Sequence, residues 1–228
     1  MTLDYRILGN LEVWADGRLI DVGGPRQRRL IGALLLADGR PISADRLVEI
    51  VWLSDPPGRA RNTLRTYVAR ARRALEVEGA APLVTDSNGW SLQRDGDSLD
   101  SERFESLLST ARSMSADPVA ALAALEEALG LWRGDALVEF DDEDWCVGEA
   151  TRLNELRLIA EEERIDAMLG CGLFDDAIGE LERFVNQHPL RDRPRGQQML
   201  ALYRAGRQVD AVRRYQEYRR YLDEEIGV

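Results

Sequence analysis

The sequence predicts a mainly α protein with a small β component, built as two domains in series over residues 1–95 and 96–228. Three observations carry that expectation. Short alternating segments punctuated by Gly-Asn and Asp-Gly open the chain. Amphipathic stretches at helical spacing fill most of the remaining sequence. A self-similarity with a 34-residue shift runs through the second half.

The opening 22 residues read as three strands, Asp4–Leu8, Leu11–Trp14 and Arg18–Val22. Gly9-Asn10 and Asp16-Gly17 serve as tight hairpin turns between them. Pro25 suits the first turn of a helix carrying Leu30, Ala33, Leu34 and Ala37, which Gly39 and Pro41 end. Ser43 is placed to cap a second helix with Leu47, Ile50 and Val51 on one face. Pro56-Pro57-Gly58 then breaks the chain.

A third helix, about Arg59 to Leu75, puts Leu64, Val68, Ala71 and Leu75 on one side. Asn62, Thr66, Ala69 and Arg73 fall opposite, flanked by Arg65 and Arg70. Leu83–Thr85 and Trp90–Leu92 then make a hairpin, with Asn88-Gly89 in its turn. Sheet, three helices and hairpin together describe a winged helix-turn-helix, whose third helix is shaped for a DNA major groove.

Asp95-Gly96-Asp97 reads as a hinge, and the remainder as all helix. A helical unit covers Phe104 to Trp132, turning at Asp117-Pro118, with Trp132 and Trp145 packing it. At the 34-residue shift Gly172 meets Gly206, Met168 meets Leu202, Ala177 meets Ala211, Leu181 meets Tyr215 and Phe184 meets Tyr218. That is the tetratricopeptide period, and about three such helical pairs bury a continuous core. Asp135 to Glu149, with seven acids and no base, reads as a solvated loop interrupting the array.

Composition narrows the function classes. All 30 basic residues are arginine, which a high-GC coding bias explains without invoking function. The net charge of −11 is unevenly spread: residues 1–95 carry 14 Arg against 12 acids, residues 96–228 carry 16 Arg against 29. Arg59 to Arg73 holds six arginines and no acid, enough to neutralise phosphates locally because distant charges are screened beyond ~8 Å. The bland reading of that face is a solvated helix surface. Cys146 and Cys171 form no disulfide framework or metal spacing, and His188 is the single histidine, suited to a turn. No P-loop and no nucleophile beside a base are present, so no enzyme and no cofactor are expected. No apolar run reaches the ~20 residues a membrane span needs, and no signal segment opens the chain, so a cytoplasmic protein is expected.

Residues 61–75, Arg-Asn-Thr-Leu-Arg-Thr-Tyr-Val-Ala-Arg-Ala-Arg-Arg-Ala-Leu, resemble the recognition-helix signature of the actinobacterial SARP family of transcriptional activators. So do residues 41–47 before them and Asn88-Gly89-Trp90 after. The second half is similar to that family's bacterial transcriptional activator domain, through residues 128–134, 149–153, 188–191 and 202–208. The resemblance implies an OmpR-like DNA-binding domain joined to a helical domain that helps recruit RNA polymerase. It further implies binding to direct repeats in double-stranded promoter DNA, with a homodimer there allowed, and control of gene clusters, often for secondary metabolism. It maps the DNA-reading helix onto Asn62, Arg65, Thr66, Arg70, Arg72 and Arg73. With Arg59 and Arg61 of the basic cluster and Asn88 of the wing, these are the candidate DNA contacts. Residues Trp52 to Arg59 match the segment that touches polymerase, through a sigma or core subunit.

Three departures stand out. Ser91 replaces the arginine that the family carries after the wing aromatic, so a weak wing contact is expected, made to phosphates through Ser87, Asn88 and backbone amides. Leu53 stands where glycine commonly follows Trp52. The sequence stops at Gly227-Val228 where the family runs on, so a fragment of a longer regulator or an abbreviated member is expected. Residues 1–95 alone are expected to bind DNA. The competing function is a tetratricopeptide-type interaction scaffold or adaptor with weak or no DNA binding.

Overall fold

The computed structural model describes residues 2–76, 82–225 and 227. The described residues form two compact units, Met1–Glu105 with Leu131–Glu155, and Ser106–Gly130 with Leu156–Val228.

In the first unit, β1 (Leu3–Arg6), β2 (Glu12–Ala15) and β3 (Arg18–Leu19) form antiparallel pairs, with Tyr5 opposite Val13 and Trp14 opposite Leu19. Asp16 and Gly17 both take positive φ, 47° and 76°, as a two-residue hairpin turn requires. Gly9-Asn10 makes no such turn. The chain from Ile7 to Leu11 is occupied by other partners: Asp100 accepts the N–H of Ile7 (2.7 Å) and Leu8 (3.1 Å), and the N–H groups of Arg133 and Leu137 reach the carbonyls of Leu8 and Ile7. Leu11 N–H donates to Glu139 at 2.6 Å. The strands are correspondingly shorter than the alternation suggested.

The expected hinge at residues 95–97 is a fixed turn. Asp97 accepts the Leu3 N–H at 2.7 Å, and the chain enters β6 (Ser98–Leu99), which adds to β1 in parallel. The hairpin β4 (Leu83–Asp86) and β5 (Gly89–Leu92) is a separate two-stranded sheet.

Helices α1 (Pro25–Leu36), α2 (Ala44–Trp52) and α3 (Ala60–Ala74) form the trihelical part. The Ser43 hydroxyl caps α2 by accepting the Arg46 N–H at 3.3 Å. Leu30, Ile31, Leu34, Leu47, Val51, Leu64 and Val68 are buried, as are Tyr5 and Val13 of the sheet and Ile7 and Leu11 of the β1–β2 connection. Burying each such aliphatic side chain contributes about 2 kcal/mol, which fixes the roll of α3 about its axis.

The acidic segment Asp135–Glu149 is not a solvated loop. It contains a short 3-10 helix, Val138–Phe140, and buries Ala136, Leu137, Phe140 and Cys146. Glu139 takes Arg28 of α1 in a two-pronged ion pair (2.5 and 2.6 Å), and Glu143 takes Arg29 at 2.7 Å. Trp145 lies against Gly32 of α1 and Phe140, where a Cβ on Gly32 would come within 2.9 Å of the indole. Trp145 thus packs against α1 and not the helical unit Phe104 to Trp132 expected of it, whereas Trp132 stands edge-on to Phe104 at 5.3 Å. Hence the packing unit and a cut at 95/96 do not coincide. A chain ending at residue 95 would lack Asp100, Arg133, Glu139 and Glu143, which this packing unit draws from beyond the cut.

The remaining helices are α4 (Asp100–Ser113), α5 (Pro118–Leu129), α6 (Val147–Gly170), α7 (Phe174–Gln187), α8 (Asp192–Arg204) and α9 (Gln208–Glu225). Asp117 caps α5 by accepting the Ala120 N–H at 3.2 Å. In the second unit the 34-residue repeat is visible in the backbone. Gly172 and Gly206 sit at φ 79° and 80° past α6 and α8. Leu173 N–H reaches Met168 carbonyl at 3.0 Å, and Arg207 N–H reaches Leu202 carbonyl at 2.8 Å. Both are the same glycine-terminated helix end. Ile165, Met168, Leu169, Ala177, Ile178, Leu181, Ala201, Leu202 and Ala211 close one core. His188 lies in the turn after α7, its ring 5.0 Å from that of Phe184.

Candidate nucleic-acid interface

The chemistry of α3 depends on which of its sides is buried. Ala60, Leu64, Val68 and Ala71 face the core, so Arg59, Arg61, Asn62, Arg65, Thr66, Arg70 and Arg73 are all exposed. Of the arginines, Arg59, Arg65, Arg70 and Arg73 have no ion-pair partner among the described residues. No acid lies in the helix to neutralise them, since its first turn carries none. Thr66 bonds back to the Asn62 backbone carbonyl at 3.3 Å, and the Asn62 side chain is exposed.

Arg61 differs from these four. It pairs with Asp45 at the start of α2 (2.5 Å), but both side chains are largely exposed, so the pair is worth little and yields to a better partner. Arg72 differs more. Its guanidinium donates to the Leu83 carbonyl (2.9 Å) and to the Thr85 hydroxyl (2.8 Å), tying α3 to β4. It sets the angle of the wing to the helix, which the periodicity alone did not reveal.

The wing is anchored at a second point. Ile42 and Trp90 exchange both backbone hydrogen bonds, at 2.8 and 3.1 Å. Gly89, at φ 143°, passes so near that a Cβ would stand 1.9 Å from the Ile42 carbonyl oxygen. No side chain fits there. Asn88 is thereby held exposed at the hairpin tip, its N–H on the Asp86 carboxylate. Gly89 was legible as a turn residue, but its closeness to Ile42 was not.

Ser91 requires a correction. It is 5% exposed, and its hydroxyl accepts from Gln93 Nε2 at 3.0 Å. The strand register that brings Ser91 inward turns it away from solvent, so an arginine at this position would be buried and not offered to a groove. Arg94 is also engaged, by Glu102 (2.5 Å) and Asp38 (2.9 Å).

Ahead of α3, Trp52 is buried and stacks on Tyr67 at 5.7 Å. Leu53 comes next at φ 55°, ψ −111°, with the Asp55 N–H on the Trp52 carbonyl at 3.2 Å. That geometry is the one glycine adopts freely, and it holds an exposed leucine outward at the cost of backbone strain of order 1–3 kcal/mol. No group of metal-ligating side chains and no membrane-crossing helix occurs among the described residues.

A winged helix with an unneutralised arginine face, joined in the same chain to a repeat-bearing helical domain, defines a class of two-domain DNA-binding regulators. The family described as "Transcriptional regulatory protein, C terminal" matches residues 22–89, and that described as "Bacterial transcriptional activator domain" matches residues 99–228. The chain belongs to the SARP family of transcriptional regulators, as these matches and its relatives show. It is 38% identical to regulatory protein AfsR of Streptomyces griseus, across 99% of this chain and 23% of AfsR. It is 36% identical to transcriptional regulator RedD of Streptomyces coelicolor, spanning 66% of that protein. To transcriptional regulatory protein MoaR1 of Mycobacterium tuberculosis it is 32% identical, spanning 75%. The structure of Mycobacterium tuberculosis EmbR in complex with a low affinity phosphopeptide superposes with a TM-score of 0.90 at 29% identity, covering 99% of this chain and 61% of that one. The chain thus spans about a quarter of AfsR and most of MoaR1.

Proposed function

We propose that this chain binds double-stranded promoter DNA through α3 and activates transcription by bringing RNA polymerase to the adjoining promoter. The observation that carries the reading is the set of exposed arginines, Arg59, Arg65, Arg70 and Arg73, without an ion-pair partner among the described residues, on the one face of α3 that is not buried. In a chain of net charge −11, with acids available to most other arginines, that face is the natural seat of an external anion. Arg65 and Arg70 reach base edges, Asn62 and Thr66 sit between them, and Arg59, Arg61 and Arg73 meet phosphates. Arg72 acts by holding the wing, and Asn88 meets a phosphate at the wing tip. Two chains side by side on a direct repeat fit a helix that reads one half-site each. The exposed Leu53 turn is the proposed polymerase contact, and secondary-metabolite gene clusters are the proposed targets.

The test uses the whole chain, footprinted upstream of its own gene and added to a reconstituted transcription reaction with RNA polymerase. Protection of a repeat and a rise in transcript are expected. Leu53→Asp should leave the footprint unchanged and lower the transcript. An unchanged transcript from Leu53→Asp would sink the Leu53 contact, and a footprint with no rise in transcript would sink the recruitment reading.

A further inference from the structure

The 34-residue repeat also says what the far face of α8–α9 is built to carry. Leu169 of α6 and Ile178 and Leu181 of α7 are buried in one core with Ala201 and Leu202 of α8, and Val185 of α7 is buried as well, each under 6% exposed. The counterparts of these α6 and α7 residues one repeat on are Tyr203, Val212, Tyr215 and Arg219. These are uncovered: Tyr203 is 62% exposed, Val212 56%, Tyr215 55%, and Arg219 is exposed as well. The polar anchors change in step. On α6, Glu162 and Asp166 receive Gln197 of α8, at 2.7 Å through the Glu162 carbonyl and 2.6 Å through the Asp166 carboxylate. On α8 the same places hold Gly196 and Leu200, and a Cβ on Gly196 would meet nothing within 4 Å.

We infer that this face is a docking site for one amphipathic α-helix of a partner protein, seated on α8–α9 as α8 is seated on α6–α7. The residues specify the occupant. Gly196 and Leu200 offer no acid, so the helix needs no arginine or glutamine there and presents an apolar stripe. Arg219 stands where Val185 is buried and has no partner among the described residues. Covering a lone guanidinium is costly, so the helix brings an acid to it. Helix α7 ends at Gln187 and α8 starts at Asp192, so the first turn of a covering helix is the part nearest this position. A second copy docking by the same face would bring Tyr203, Val212 and Tyr215 to it, none of them an acid for Arg219, which disfavours self-pairing. The inference is independent of DNA binding.

The probe is a labelled, lactam-bridged helical peptide of residues 192–205 with Arg193→Leu and Gln197→Leu, titrated against the full chain by fluorescence anisotropy. Bridging is needed because so short a helix is marginal alone. Saturable binding is expected, weakened at least tenfold by Gly196→Trp or Val212→Glu, whose exposed positions leave the fold intact by circular dichroism. Arg219→Glu should weaken it too, and a peptide carrying Asp192→Arg should restore it. Absence of binding, or binding indifferent to Gly196→Trp and Val212→Glu, overturns the inference. So does light scattering that shows the chain dimerising through this face, since the occupant would then be a second copy.

Discussion

Arg28 and Arg29 on α1 and Arg65 and Arg70 on α3 are the same residue type within one packing unit, and the fold treats them oppositely. The α1 pair is enclosed by Glu139 and Glu143, brought from more than a hundred residues away. The α3 pair meets no acid at all among the described residues. The first use of arginine is a clamp, in which a guanidinium fork also holds the Leu11 carbonyl. The second is an unspent positive field. Net charge does not distinguish these uses, because it counts the acids without saying whom they face. A chain at −11 can therefore present a basic surface wherever its acids are committed elsewhere.

Cutting the clamp breaks the contrast most visibly. Glu139→Ala leaves Arg28 partly buried without its partner and frees the Leu11 N–H, and should cost about 3 kcal/mol of stability. A urea melt of the full chain measures it; a loss under about 1 kcal/mol would mean that the segment is not held by this pair.

Cys146, inside the same acidic segment, reports whether the clamp is closed. Burial first, then the nearby Glu143 and Asp141 carboxylates, push its thiol from an ordinary 9.0 up to about 11. A raised thiol pKa keeps the unreactive protonated form as pH rises. Alkylation at pH 8 should thus proceed roughly a hundredfold slower than at an unshifted thiol, and accelerate about tenfold per pH unit until near 11. Glu139→Ala should remove most of that protection. Equal labelling of Cys146 in both forms would show that the two features are unconnected.

On α3, by contrast, Arg65→Ala and Arg70→Ala should each change stability by less than about 0.5 kcal/mol, since neither side chain is spent on the fold. Each should cost about 1–3 kcal/mol of binding to the preferred duplex and relax the sequence preference. Thermal melts and titrations on two duplexes separate the readouts. Arg61→Ala sits between the two classes: losing the exposed Asp45 pair should cost about a few tenths of a kcal/mol of stability, far less than cutting the clamp.

Much of this was readable from residues alone where the signal is local. The face of α3 follows from a 3.6-residue period, the Ser43 cap from residue type, and the α6–α9 repeat from glycines at a fixed shift. What escaped are contacts between distant positions. Nothing in Asp135–Glu149 announces that two of its acids belong to α1, since an acid run in isolation looks the same whether solvated or paired. Strand β6 is two residues long, too short to carry an alternation, and it turned an expected hinge into a sheet edge. Arg72 shares its sequence cluster with the free arginines, and a shift of a few tens of degrees around the helix hands it to the wing. Ser91 was misread for a related reason: alternation anticipates one covered face, whereas adjacent Ser91 and Leu92, on opposite faces of the strand, are both buried.

The central claim is that the α3 arginines are held free for phosphate and bases. It is tested most directly by titrating the full chain onto its promoter duplex across a range of salt. Three arginines on phosphates, Arg59, Arg61 and Arg73, each releasing about 0.9 counterion per phosphate met, give an expected slope of log K against log salt of roughly −3. Arg73→Ala should reduce that slope by about 1 while leaving sequence preference unchanged. A slope near zero in the unaltered chain, or a slope that Arg73→Ala does not change, would contradict the account.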